Sequence, residues 1–260
     1  MMKKIIRTGI LALISTVIFD SAQAQQEESG SEKSEYAPAK GAVTVSLNFG
    51  SGSYVGRGAP APNLQSYSLS APIEGWFSAK PVFDLEGKYF VSDKWAIKLS
   101  GGLFVAYNPG YKEVLGTVDG EGEIPDGEIP SYKAVPATDN IQYSVAVGAE
   151  RYIASLYDRI FLRVGGELGF SYGRVLQNAD DEKYKGAAIG EAYSFRVQPV
   201  VGADWYILRQ WFIGLDVRPL SYHYSVYSER PQVGMGLLSS DSHSFTFLRQ
   251  SPTLKLGFKF

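Results

Sequence analysis

Eight stretches of this chain alternate apolar and polar residues with a period of two. That spacing puts successive side chains on opposite faces of a strand, and no helix shares it. Val43, Val45, Leu47 and Phe49 take turns with Thr44, Ser46 and Asn48. Phe83, Leu85, Gly87 and Tyr89 take turns with Asp84, Glu86 and Lys88. The pattern returns at Trp95–Tyr107, Ile141–Gly148, Ile160–Tyr172, Tyr193–Trp205, Trp211–Arg218 and Thr253–Phe260. Most of these runs exceed the ~5–6 residues of a soluble strand. Trp95–Tyr107, Ile160–Tyr172 and Tyr193–Trp205 pass the ~9–11 that a strand needs to cross a bilayer, and the others come close to it.

The connections sort by length. Ser92-Asp93-Lys94, Ile207–Gln210 and Tyr152–Arg159 are short. Those over about residues 50–80, 108–139, 174–190 and 219–250 are long. Short turns at one end and long loops at the other, on an even number of strands, form the pattern of an outer-membrane barrel. Aromatics bunch beside the short turns: Phe90, Trp95, Tyr152, Tyr157, Trp205, Tyr206, Trp211 and Phe260. They read as an interfacial girdle, with Tyr107, Tyr172, Tyr193 and Tyr222 near the opposite rim. The expected fold is therefore all-β, an eight-stranded antiparallel transmembrane β-barrel. The last stretch, TLKLGFKF, fits this reading, because in a closed ring the final strand pairs with the first and is no edge.

The ends and the composition set the boundaries. Lys3, Lys4 and Arg7 precede an apolar run and the triplet Ala22-Gln23-Ala24. This is the build of a cleaved secretory signal over residues 1–24. Residues 25–40 are acidic and poor in apolar groups, so a flexible periplasmic lead-in is expected there. The barrel is expected over 41–260. Without residues 1–24 the chain keeps 22 Lys+Arg against 26 Asp+Glu, which offers no footprint for nucleic acid. The sequence has no Cys, which excludes disulfides and thiolate metal sites. No cofactor is expected.

The hairpin LEGKYFVSDKWAIKLSGG (Leu85–Gly102) and the C-terminal Phe260 resemble small bacterial outer-membrane barrels of the OmpX/OmpA type. The resemblance implies residence in the outer membrane, with the N-terminus periplasmic and the long loops outside. It implies contact with outer-membrane lipid and lipopolysaccharide. It also implies that Phe260 is an assembly signal read by the barrel-insertion machinery. A ligand at the long loops is a further expected partner, and the expected role is structural or interactive.

If the apolar positions face lipid, their alternates face the lumen. These are Asp84, Glu86, Lys88, Lys98, Arg163, Glu167, Arg196, Asp204, Asp216, Arg218 and Lys255. An eight-stranded barrel is only wide enough for its own side chains. Near-balanced charges in it read first as a polar plug, and second as a narrow ion path.

Two further constellations carry candidate chemistry. His223-Tyr224-Ser225, with Glu229 four residues on, is similar to the His-x-Ser of lipid A deacylases of the PagL kind. There the resemblance implies His as base, Ser as nucleophile and a carboxylate that orients the ring. An unbroken strand from Val217 would put His223 and Ser225 on the lipid-facing parity, unless Pro219 breaks the register. Asp119, Glu121, Glu123, Asp126 and Glu128 cluster in one stretch without a base. Their spacing is not that of an EF-hand, and a solvated acidic loop is expected rather than a Ca²⁺ site.

Overall fold

The structure is a computed structural model of the 260-residue chain. It describes residues 35–52, 55, 80–114, 137–178, 187–230, 236–247 and 252–260. The expected signal over 1–24, most of the lead-in, and the acidic stretch Asp119–Glu128 lie outside the described residues.

Ten strands are described: β1 (Val43–Gly52), β2 (Lys80–Phe90), β3 (Trp95–Asn108), β4 (Thr138–Tyr157), β5 (Ile160–Asn178), β6 (Ala187–Tyr206), β7 (Trp211–Val217), β8 (Leu220–Arg230), β9 (Leu238–Phe247) and β10 (Thr253–Lys259). They build eight walls, because β7 with β8 and β9 with β10 each form one interrupted wall. All pairings are antiparallel, each with the sequence neighbour, until β6, which carries β7 on its lower half and β8 on its upper half. β10 then lies between β7 and β1 and closes the ring, from Thr44↔Lys259 to Phe49↔Leu254. The closed antiparallel barrel is the expected one, and the terminal strand is paired on both sides.

The sheet reaches further than the alternation suggested. Leu220–Arg230 and Leu238–Phe247, read as loop from the sequence, are strands that pair from Leu220↔Phe247 to Glu229↔Leu238. β4, β5 and β6 extend in the same direction. Polar residues such as Ser239, Asp241 and His243 can continue a ladder where they need not face hydrocarbon.

The wall formed by β7 and β8 changes phase between them. Val201 pairs with Val217 and Val197 with Tyr222, so three residues of β6 face four of the opposite chain. The extra residue falls at Arg218-Pro219, where proline supplies no N–H to a ladder. Below it the even residues Phe212, Gly214 and Asp216 are buried. Above it the odd residues Ser221, Ser225 and Tyr227 are.

Outside, the barrel is apolar. Leu47, Leu85, Leu99, Leu103, Val147, Leu168, Val197, Leu254 and Leu256 all stand exposed. In water this surface would be a liability, and in a bilayer it is the solvated face. Aromatic rings circle both ends. At the short-turn end Tyr89, Trp95, Tyr157, Trp205, Trp211 and Phe260 face outward. At the other end Tyr143, Phe170, Tyr172, Tyr193, Phe195, Tyr222 and Phe245 meet ring to ring, with centroids 4.8–6.5 Å apart. Three expected girdle members behave differently. Phe90, Tyr152 and Tyr206 are buried inside with Phe161 and Phe212, where they form an aromatic floor across the short-turn mouth.

Candidate functional site: a buried charge layer above an aromatic floor

The inward positions of β2, β3, β4, β5, β6, β7 and β10 converge on one layer of charge. Glu86, Lys88, Lys98, Glu150, Arg163, Glu167, Asp204, Asp216 and Lys255 are all at most 3% exposed. Arg163 sits at the centre. It bonds Glu150 at 2.9 Å through Nη1, Asp204 at 3.0 Å through Nε, and Asp216 through Nη2. Glu150 also takes Lys88 and Lys98, each at 2.7 Å. Lys98 reaches Glu167 at 2.9 Å, and Arg218 reaches the same carboxylate at 3.3 Å. Lys255 joins Asp216 at 2.6 Å to Glu86 at 2.7 Å. The Tyr152 hydroxyl donates to Asp204 at 2.7 Å and so ties the aromatic floor to the charge layer.

Five acids (Glu86, Glu150, Glu167, Asp204, Asp216) thus meet five bases (Lys88, Lys98, Arg163, Arg218, Lys255). Isolated charges in a dry lumen would be very costly. Paired and bridged in both directions, their formal charges sum to zero. The floor beneath adds five aromatic rings.

Glycines make the room. A Cβ on Gly202 would stand 2.6 Å from Asp216 Oδ1 and 2.8 Å from Arg163 Cζ. The guanidinium lies against bare backbone there, and any side chain would push the central cation off its partners.

All the lumen residues expected from the sequence face inward, and the structure joins most of them into one network. Asp84 and Arg196 stand apart, one step towards the long-loop end. Among the described residues neither has an opposite charge within 4.0 Å. Arg196 instead lies over Gly169, whose added Cβ would meet its Cγ at 2.7 Å. Sequence reasoning missed Glu150, the most connected acid. The signal was present: Gln142, Ser144, Ala146 and Gly148 lead by twos to Glu150 and Tyr152. That reading ended the strand at Gly148, whereas β4 runs on to Tyr157.

The phase change decides where the His-x-Ser tripeptide points. The lipid-facing parity expected of an unbroken strand is overturned by the extra residue at Arg218-Pro219. Ser225 is 2% exposed on the inner face, and His223 shares that face, half-buried. His223 Nε2 hydrogen-bonds the hydroxyl of Ser221, two residues the other way from Ser225. Glu229 lies further up β8, in the pair Gly190↔Glu229. Among the described residues no group of His, Asp and Glu is placed to hold a metal ion.

Phe260 is exposed, with its ring 4.8 Å from that of Phe258, which in turn meets Trp211 at 5.2 Å. Its backbone N–H donates to the Val43 carbonyl at 2.8 Å, so the last residue is hydrogen-bonded to the first strand.

The sequence model of the OmpA-OmpF-like porin family matches residues 69–260. Among solved structures, the chain is similar to the outer membrane protein OprG of Pseudomonas aeruginosa. Identity is 14%, over 86% of this chain and 98% of that one, with a TM-score of 0.48. It is also similar to Ail, the attachment invasion locus protein of Yersinia pestis, at 12% identity over 85% and 99% of the two chains, TM-score 0.41. A major outer membrane protein of Thermus thermophilus gives 10% over 84% and 99%, TM-score 0.37. No curated protein matches.

Proposed function

Since the chain belongs to the OmpA-OmpF-like porin family, we propose that this outer-membrane barrel is a closed, non-conducting scaffold that presents its long-loop end outside the cell. Its role is structural or interactive, without catalysis. The observation that carries this reading is the stacked seal inside the barrel: a charge layer of five acids and five bases, above a floor of five aromatic rings. A path for ions needs polar groups that can release their partners. Here each carboxylate of the layer is held by at least two cations or a cation and a neutral donor, Glu86 by Lys255 and by Lys88 at 3.6 Å. Lipid and lipopolysaccharide would contact the apolar outer face, and the long-loop end, with its strand extensions, would be the surface for a ligand. The bond between His223 and Ser221 supports the non-catalytic reading, since it engages the ring nitrogen Nε2 with a hydroxyl other than that of Ser225.

The test is single-channel recording in a planar bilayer, beside mass spectrometry of lipid A from cells with and without the protein. A flat baseline and unchanged lipid A are expected. Regular conductance steps would replace the scaffold reading with a channel, and loss of an acyl chain would replace it with a hydrolase.

A further inference from the structure

The segment before β1 is engaged by every short turn of the barrel. The Lys40 N–H donates to Asp93 Oδ1 in the β2–β3 turn at 2.8 Å. The guanidinium of Arg159, in the β4–β5 turn, lies 4.7 Å from the centre of the Tyr36 ring. Arg209, in the β6–β7 turn, forms an ion pair with Glu35. Lys259, on the last strand, donates to the carbonyls of Tyr36 at 3.0 Å and Ala37 at 3.4 Å. Between these anchors Pro38 is buried, and Tyr36, Ala37 and Ala42 pack on the aromatic floor. Glu35–Lys40 therefore belongs to the folded body, although its composition reads as flexible lead-in.

These partners are far apart in sequence, and they come together only in the closed ring. Asp93 is 53 residues from Lys40, and Lys259 is 223 from Tyr36. Before β10 pairs with β1, the anchors at the two ends of the strap lie on opposite ends of an open sheet. After closure, β10 cannot leave β1 unless Lys259 releases both carbonyls and Tyr36 leaves the floor. The exposed Glu35–Arg209 pair adds little by itself. The hold comes from the half-buried Lys259 bonds and the packed Tyr36 and Pro38.

We propose that Glu35–Ala42 is a closure lock: a strap that docks only after the barrel has closed and then holds the β1–β10 seam shut from the short-turn side. Interactions absent from the folding transition state slow unfolding and leave folding rates unchanged. The lock should therefore act on one rate alone.

The experiment refolds the purified chain into detergent micelles and follows the heat-modifiable gel band in both directions. Tyr36→Ala and Lys259→Met are each expected to unfold about tenfold faster, with refolding changed less than about twofold. Refolding that slows as much as unfolding accelerates would mean that the strap docks before closure, and would overturn the proposal. So would two unchanged rates. A second measurement uses the absence of Cys in the chain. Ala37→Cys supplies a single thiol, and its maleimide labelling is timed during refolding. Protection is expected to follow the appearance of the folded band. Protection that precedes the band, or a thiol still reactive in the folded protein, counts against the lock.

Discussion

Lys255 reaches over a whole strand to Glu86. Its Nζ stands 2.7 and 2.8 Å from the two carboxylate oxygens. Lys255 is on β10 and Glu86 on β2, and β1 runs between them, with Asn48 opposite Lys255 and Ser46 opposite Glu86. The bond thus staples the closing seam from the inside. Replacing Lys255 by Met takes from Glu86 its nearest cation, leaving Lys88 at 3.6 Å, and from Asp216 one of its two. The expected loss is about 3–5 kcal/mol, as for other buried pairs broken on one side. The double change Lys255→Met with Glu86→Met should recover part of it. Urea titration of the folded band measures both, and a double variant no better than the single one would count against the staple.

Gly202→Val is expected to disrupt the barrel, because the new side chain would occupy the space of the Arg163 guanidinium and the Asp216 carboxylate. Gly87→Ala is the control. It lies on the outward parity of β2, and a Cβ there meets nothing within 4 Å. The Ala variant should fold like the parent, and the Val variant should give little folded band at any lipid ratio.

Depth in the bilayer sets the cost of a charge on the outer face. Leu168 is 58% exposed and lies beside Glu167, at the height of the charge layer. Leu168→Arg should therefore cost ~2–4 kcal/mol. Tyr107 is 63% exposed but near the long-loop end of β3, and Tyr107→Arg should cost about 0–1 kcal/mol. Equal losses in an unfolding titration would mean that Tyr107 lies as deep in the bilayer as Leu168.

Phe260→Ser should lower the amount of protein inserted in cells, with near-normal refolding of the purified chain. The hydrogen bond from residue 260 to Val43 is made by the backbone and survives the change. What is lost is an exposed ring at the membrane interface and the proposed assembly signal. Quantifying outer-membrane protein beside in-vitro refolding separates the two effects. Insertion equal to the parent would reduce Phe260 to a packing residue.

The fold was legible in the sequence because lipid on one side and a charged lumen on the other impose strict alternation. Glu86, Lys88, Lys98 and Lys255 all announce the lumen in this way. What alternation hides is a change of phase. Nothing in the run from Val217 to Ser225 marks where an added residue exchanges the faces, apart from Pro219. It also cannot separate aromatics of the girdle from those of the floor. Phe90 and Tyr206 sit next to outward-facing Tyr89 and Trp205, and both members of each pair are rings. Glu35–Lys40 was illegible for another reason. Its order comes from partners on four distant parts of the chain, which no local composition reports.

The phase change at Arg218-Pro219 also makes the two halves of that wall separately tunable. Deleting a single residue there would slide everything above it by one step. Tyr222 and Tyr224 would swing into the lumen, and Ser225 and Tyr227 would swing to the outer face, while Asp216 kept its place in the charge layer below. The junction works like a slipped stitch, letting the part of the strand that faces the environment run out of step with the part that holds the barrel closed.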